Sequence, residues 1–139
     1  MNILVIDAQG GGAGKQLVTA IKQNIPDAVI TAVGTNSTAA SVMLKAGADH
    51  AATGENAVIV GCRNTDIIVG PIGIVIADSM FGEVTPKMAA AVAQSSAARV
   101  LIPFNHCDNI IVGVADFSMG KLVQYAVDKI KEIVTVHNL

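Results

Sequence analysis

The chain opens on a stretch of strand length, Met1 to Ile6, that is apolar apart from Asn2, the pattern of a strand buried on both faces. From Ala13 the period changes. Leu17, Val18 and Ile21 recur at helical spacing until Pro26 closes the segment. Ala28 to Val33 predicts a second strand. "GTNS" then leads into a helix with Ser37 as its cap, Val42, Met43 and Ala46 on its face, and Gly47 at its C-terminal cap. A short strand is expected around Ala48 to Ala51, followed by a short helix capped by Thr53 with an acid in its first turn. "DIIVGPIG" reads as a strand ending in another glycine-rich turn, while "IGIVIADSM" declares no period.

Thr85-Pro86 marks a further helix start, with proline in the first turn. Arg99 to Phe104 and Ile110 to Val114 read as strands with only Asn105 to Asn109 between them. A parallel crossover needs about a dozen residues or more, so this pair is expected to be antiparallel. The last helix, Ser118 to Val134, gathers Leu122, Val123, Ala126, Val127, Ile130 and Ile133 on one stripe. Such alternation predicts a single α/β domain over residues 1–139. The expected arrangement is a Rossmann-like three-layer αβα sandwich, with a mostly parallel sheet and an antiparallel C-terminal strand.

The first strand runs into Asp7 and then "AQGGGAGK", with glycine at four of the five positions from Gly10 to Gly14. In open parallel sheets, ligands sit beyond the C-terminal ends of the strands, where a helix N-terminus offers free N–H groups. Glycine there lets a ligand touch backbone. Each glycine in a helix gives up about 1 kcal/mol against alanine, so a plain turn has little use for four. A phosphate-bearing ligand is the favoured reading; the alternative is a tight turn that binds nothing.

On the ligand reading, Gln9, Gly10, Gly11, Gly12, Ala13 and Gly14 form the cradle and Lys15 neutralises a phosphate. Asp7 accepts from a ribose or orders the loop. Gly34, Thr35 and Asn36, together with Gly70, Pro71 and Gly73, form the walls of the crevice. Two phosphate cradles are close. The spacing G-x-x-x-G-x-G is met at Gly12 and Gly14, with Ala8 in first place, and resembles the first turn of short-chain dehydrogenases. The second strand, however, ends in Gly34-Thr35-Asn36 without the acid that holds an adenosine ribose. "GGAGK" also resembles the P-loop of MinD-like ATPases. There Gln16 replaces the magnesium-binding hydroxyl and Gly70 stands where an acid is wanted, so ATP hydrolysis would lack its main electrostatic element.

Composition narrows the partners. Hydrophobic residues make up 52% of the chain and charged residues 14%, against roughly a quarter charged in an average domain. So few charges on a small protein point to surface hidden in an interface, hence a homodimer or higher homo-oligomer. Net charge is −2 with no basic stripe, which argues against nucleic acid or an anionic membrane as partner. The N-terminus lacks signal-peptide character, and Ile67 to Ala77 is too short to span a bilayer. With Cys62 and Cys107 as free thiols, the protein is expected in the cytoplasm.

Other candidates carry less. Tyr125 and Lys129 spell the Y-x-x-x-K of short-chain dehydrogenases, but Tyr125 lies off the apolar stripe and no matching serine precedes it. Asp78 and Glu83 are candidate polar contacts near the second glycine turn, and on the partner-completed reading Glu83 or Tyr125 enters a neighbouring subunit's crevice. His50, His106 and Cys107 have no metal-ligand spacing. No catalytic residue and no metal site is assigned.

Over nearly its whole length the sequence resembles an uncharacterised bacterial family, the domain of unknown function 3842. The resemblance rests on "VIDAQGGGAGKQLV", "GTNSTAASVMLKAGAD", "TGENAVIV", "DIIVGPIGIVIADSMFGEVTPKMA" and "VLIPFN". In that family the position of Ala8 is usually glycine, which completes the dehydrogenase-like spacing and implies a dinucleotide-type turn rather than a P-loop. The resemblance implies no reaction. The function expected is binding of a nucleotide or dinucleotide of the NAD(P) type. The alternatives are a small oxidoreductase whose site a partner subunit completes, a P-loop-like ATP binder, and a scaffold subunit without ligand.

Overall fold

The computed structural model describes residues 1–104 and 109–137. Five strands, β1 (Asn2–Asp7), β2 (Val29–Gly34), β3 (His50–Thr53), β4 (Ile67–Pro71) and β5 (Ala98–Ile102), form one sheet in the order β3-β2-β1-β4-β5. Every pairing is parallel. The helices are α1 (Gly12–Asn24), α2 (Ser37–Lys45), α3 (Glu55–Gly61), α4 (Pro86–Gln94) and α5 (Met119–His137), with a 3-10 turn at Ile72–Val75.

The two-residue alternation of a strand decides which layer each β1 side chain joins. Ile3 and Val5 enter one core with Leu17, Val18 and Ile21 of α1, Met43 of α2, and Val123, Val127 and Ile130 of α5. Leu4 and Ile6 enter the other, with Val58 of α3 and Met88 and Val92 of α4. The result is the expected three-layer sandwich. Burial of both faces explains why β1 and β4 read as continuous apolar runs rather than alternating ones.

The expected antiparallel strand is not there. β5 pairs parallel to β4, and Ile110 to Val114 forms no strand. Gly113 takes a positive φ of 83° and Val114 N–H donates to Ile111 O at 3.4 Å, so the run breaks into a turn. Its apolar side chains stay outside, with Ile110 88% and Val112 93% exposed. The apolar character that imitated a strand here reports an uncovered surface. His106, Cys107 and most of the intervening loop lie outside the described residues.

Cap positions also shift. Asn36, not Ser37, caps α2, its Oδ1 accepting from Ala39 N–H at 2.8 Å. Thr53 ends β3, and Gly54 precedes α3 without a side-chain cap. Thr85 caps α4 as expected, accepting from Met88 N–H at 3.1 Å.

Candidate functional site

The chain winds outward from β1 through β2 to β3, then crosses back to place β4 on the other side of β1. The crevice beyond the ends of β1 and β4 is therefore the switch point of the sheet, where open α/β proteins take their ligands. A cleft of about 230 Å³ opens there. Asp7 and Ala8 from the end of β1 and Pro71 from the end of β4 form its floor. Gln9 to Ala13 and Gln16 supply the glycine turn and the first turn of α1, and Met80, Phe104 and Met119 close it.

Two carboxylates shape the turn. Asp7 is buried, and its Oδ2 accepts from Gly14 N–H at 2.6 Å while Oδ1 accepts from Ala8 N–H at 2.8 Å. It thereby supplies the cap that Gly11, with no side chain, cannot give to α1. Burial drives the Asp7 carboxyl above its usual range; the Gly14 and Ala8 N–H groups oppose this, and the charge of Glu83 adds to it. Glu83, half-buried, holds the other end. Its Oε1 accepts from Gln9 N–H at 2.9 Å, Thr35 Oγ1 at 2.7 Å and Asn36 Nδ2 at 2.7 Å. Asn36 Nδ2 also donates to Gln9 O at 2.9 Å, so both backbone groups of Gln9 are tied down in a left-handed conformation, φ 53°. Burial alone would raise the Glu83 carboxyl, but its three donors outweigh it and hold the group below the usual range.

The glycines divide by role. Gly11 has φ 75°, and a Cβ there would meet Ala39 Cα at 3.0 Å, so both conformation and space require glycine. A Cβ on Gly14 would lie 2.5 Å from Met43 Sδ and 2.9 Å from Asp7 Cβ, so this residue lets α1 approach the sheet and α2. Gly10 and Gly12 have nothing within 4 Å of such an atom. They face open space in the cleft.

Gly11 N–H donates to Ala8 O and Lys15 N–H to Gly11 O. Among the described residues, no acceptor meets the N–H groups of Gly10, Gly12 and Ala13.

The structure thus brings Asp7, Gln9, Gly10, Gly11, Gly12, Ala13 and Pro71 to one cleft. Gly14 lies behind it. Lys15 is exposed and does not line it; Gln16 does. Gly34, Thr35 and Asn36 stand outside the cleft, and the side chains of Thr35 and Asn36, expected to meet a ribose, are engaged by Glu83. Gly70 serves packing, since a Cβ there would run into the backbone oxygen of Ile6, whereas the atom nearest to one on Gly73 would be the flexible tip of Met80.

Sequence reasoning missed Met80, Phe104 and Met119. Met80 is turned inward by a loop in which Asp78, Met80 and Phe81 all take positive φ without being glycine, and no sequence signal announces that. Glu83 Oε1 bonds within its own chain, to the glycine turn and the end of β2.

Tyr125 lines a different groove, between β5 and α5, packed edge-on against Phe117 at 5.3 Å, and Lys129 pairs with Glu132. Cys62 is a buried free thiol whose pKa burial pushes up to about 11. No cluster of metal-ligating side chains occurs among the described residues, and no described helix is long and apolar enough to cross a membrane.

Sheet order and the glycine turn at its switch point define a Rossmann-like α/β protein. The chain belongs to the family described as domain of unknown function (DUF3842), whose model matches residues 2–135. No curated protein matches it. Among solved structures it is similar to a dodecameric FMN-dependent UbiX-like decarboxylase from Escherichia coli O157:H7, at 15% identity. That match covers 100% of this chain and 96% of the other with a TM-score of 0.45, too distant to carry an argument about function.

Proposed function

We propose that this chain is a nucleotide-binding domain that takes the phosphate of its ligand in the cleft between β1, β4 and α1. One observation carries the reading: the N–H groups of Gly10, Gly12 and Ala13 have no acceptor among the described residues, and all three residues line the cleft at the switch point. Helix-terminal N–H groups left without acceptors favour an anion. Gln16 is the first-turn side chain that reaches the ligand, and Lys15 adds positive charge from the exposed face. Met80, Phe104 and Met119 offer an apolar wall for a sugar or ring. The chain works as a homo-oligomer in the cytoplasm. Its low charge and the exposed Phe81, Ile110 and Val112 support an association of copies.

Gly12→Leu tests the site. A Cβ at position 12 meets nothing within 4 Å, so the fold should survive a side chain there that obstructs the cleft. A thermal-shift panel of NAD, NADH, NADP, NADPH, AMP, FMN, and ATP with and without Mg²⁺ provides the readout. A ligand at about 100 times its Kd stabilises the wild type by about 2.7 kcal/mol. We expect at least one nucleotide to shift the wild type and to lose that shift in Gly12→Leu. A flat panel refutes nucleotide binding, and an unchanged shift in the variant refutes this location.

A further inference from the structure

We propose that the ligand is a mononucleotide, because Glu83 closes the subsite in which a dinucleotide's adenosine would lie. The proposal rests on the nucleotide-binding reading and narrows it to a substrate class. In dinucleotide-binding sheets the adenosine ribose lies at the end of the second strand, held by an acid that follows that strand. Here β2 ends on Gly34 and continues into Thr35 and Asn36, and none of the three is an acid. The carboxylate in that corner arrives from the loop before α4.

Glu83 Oε1 sits at 2.7 Å from both Thr35 Oγ1 and Asn36 Nδ2 and at 2.9 Å from Gln9 N. It therefore bridges the first glycine turn to the end of β2, across the gap an adenosine would enter. Thr35 Oγ1, Asn36 Nδ2 and Glu83 Oε1, three of the polar atoms able to recognise a ribose, are already joined to each other. Asn36 Oδ1 is likewise taken, by Ala39 N–H at 2.8 Å.

The cleft agrees. Its lining comes from β1, β4, the turn, α1, Met80 of the Glu83 loop and the chain around Phe104 and Met119, and includes none of Thr35, Asn36 and Glu83. Its volume of about 230 Å³ is below the roughly 300–1,000 Å³ of sites that enclose a whole drug-sized molecule. A second nucleotide would have to displace the Glu83 loop, where Ser79 is anchored by donation to Gly73 O at 2.6 Å and Met80 is buried.

The test is calorimetric titration of the wild-type protein with AMP, NMN, FMN, ADP-ribose and NAD. NAD contains both AMP and NMN, so its gain over them measures the second subsite directly. The expected result is that one mononucleotide binds, and that NAD and ADP-ribose bind no more than threefold tighter than the better of AMP and NMN. NAD binding at least tenfold tighter than every mononucleotide overturns the proposal and leaves nucleotide binding standing. Absence of heat and of thermal shift with every probe refutes the nucleotide reading and this inference with it. Glu83→Gln, checked for folding by circular dichroism, gives a second measure. A tenfold loss of NAD affinity in that variant makes the carboxylate a ribose ligand and also overturns the proposal.

Discussion

Replacing Asp7 by alanine removes the buried carboxylate on which the glycine turn is built. Its two oxygens accept from Gly14 N–H at 2.6 Å and Ala8 N–H at 2.8 Å, and Asp7 is only 4% exposed. Hydrogen bonds to a charged group contribute about 1.5–3 kcal/mol each, so the pair is worth about 3–6 kcal/mol before offsets. Two offsets reduce it. Burying the charge has its own cost, visible in the raised carboxyl, and water from the adjoining cleft can reach part of the vacated space. A net loss of about 2 kcal/mol follows, in line with the removal of a good helix cap. For a chain of 139 residues that lowers the melting midpoint by roughly 6–10 °C.

The pH dependence has a definite sign. Because burial raises Asp7 above its ordinary value of 3.8, the folded state holds that proton more tightly than the unfolded chain. Its contribution is fully present below 3.8 and shrinks as pH rises through the folded value. The stability gap between wild type and Asp7→Ala should therefore be wider at about pH 4 than at about pH 7. Differential scanning calorimetry at both pH values is the assay. A midpoint within about 2 °C of wild type at neutral pH refutes the capping argument, and a gap that widens with rising pH refutes the direction of the shift.

Glu83 runs the other way: held below its ordinary value of 4.5, it stabilises the fold above that pH and loses the contribution as pH falls through its folded value. Glu83→Gln should accordingly flatten the acid limb of a stability–pH curve, and an unaltered limb counts against a stabilising role for the three bonds Glu83 accepts. Gly14→Ala should destabilise by about 1–3 kcal/mol through overpacking against Met43 and Asp7. In the same denaturant titrations Gly12→Ala should stay within about 1 kcal/mol of wild type, and equal effects at the two positions would contradict the division of roles. Light scattering should report a particle larger than one chain, and Ile110→Ser with Val112→Ser should reduce its mass; a monomeric wild type ends the oligomer proposal.

Much of the fold was legible in the chain. The buried runs of β1 and β4, the helical stripe of α5, the Thr85-Pro86 start and the glycine turn depend on local period and local chemistry, which neighbouring residues carry. The place of the cleft followed from an alternating α/β pattern alone, since a helix after the first strand puts N–H groups at that strand's end.

Tertiary structure decided the rest. Ile110 to Val114 has the composition of a strand, but a strand needs a partner edge, and composition does not say whether one is available. Lys15 stands beside the glycines in sequence, yet the rotation of α1 turns Gln16 to the cleft instead. The sequence leaves Asp7 either accepting from a ribose or ordering the loop; folding makes it the cap of α1 at the edge of the cleft. Glu83 lies 74 residues from Gln9 along the chain, and only folding makes them neighbours. Backbone period is a local property readable from order; which side chains meet across a turn depends on the whole path of the chain.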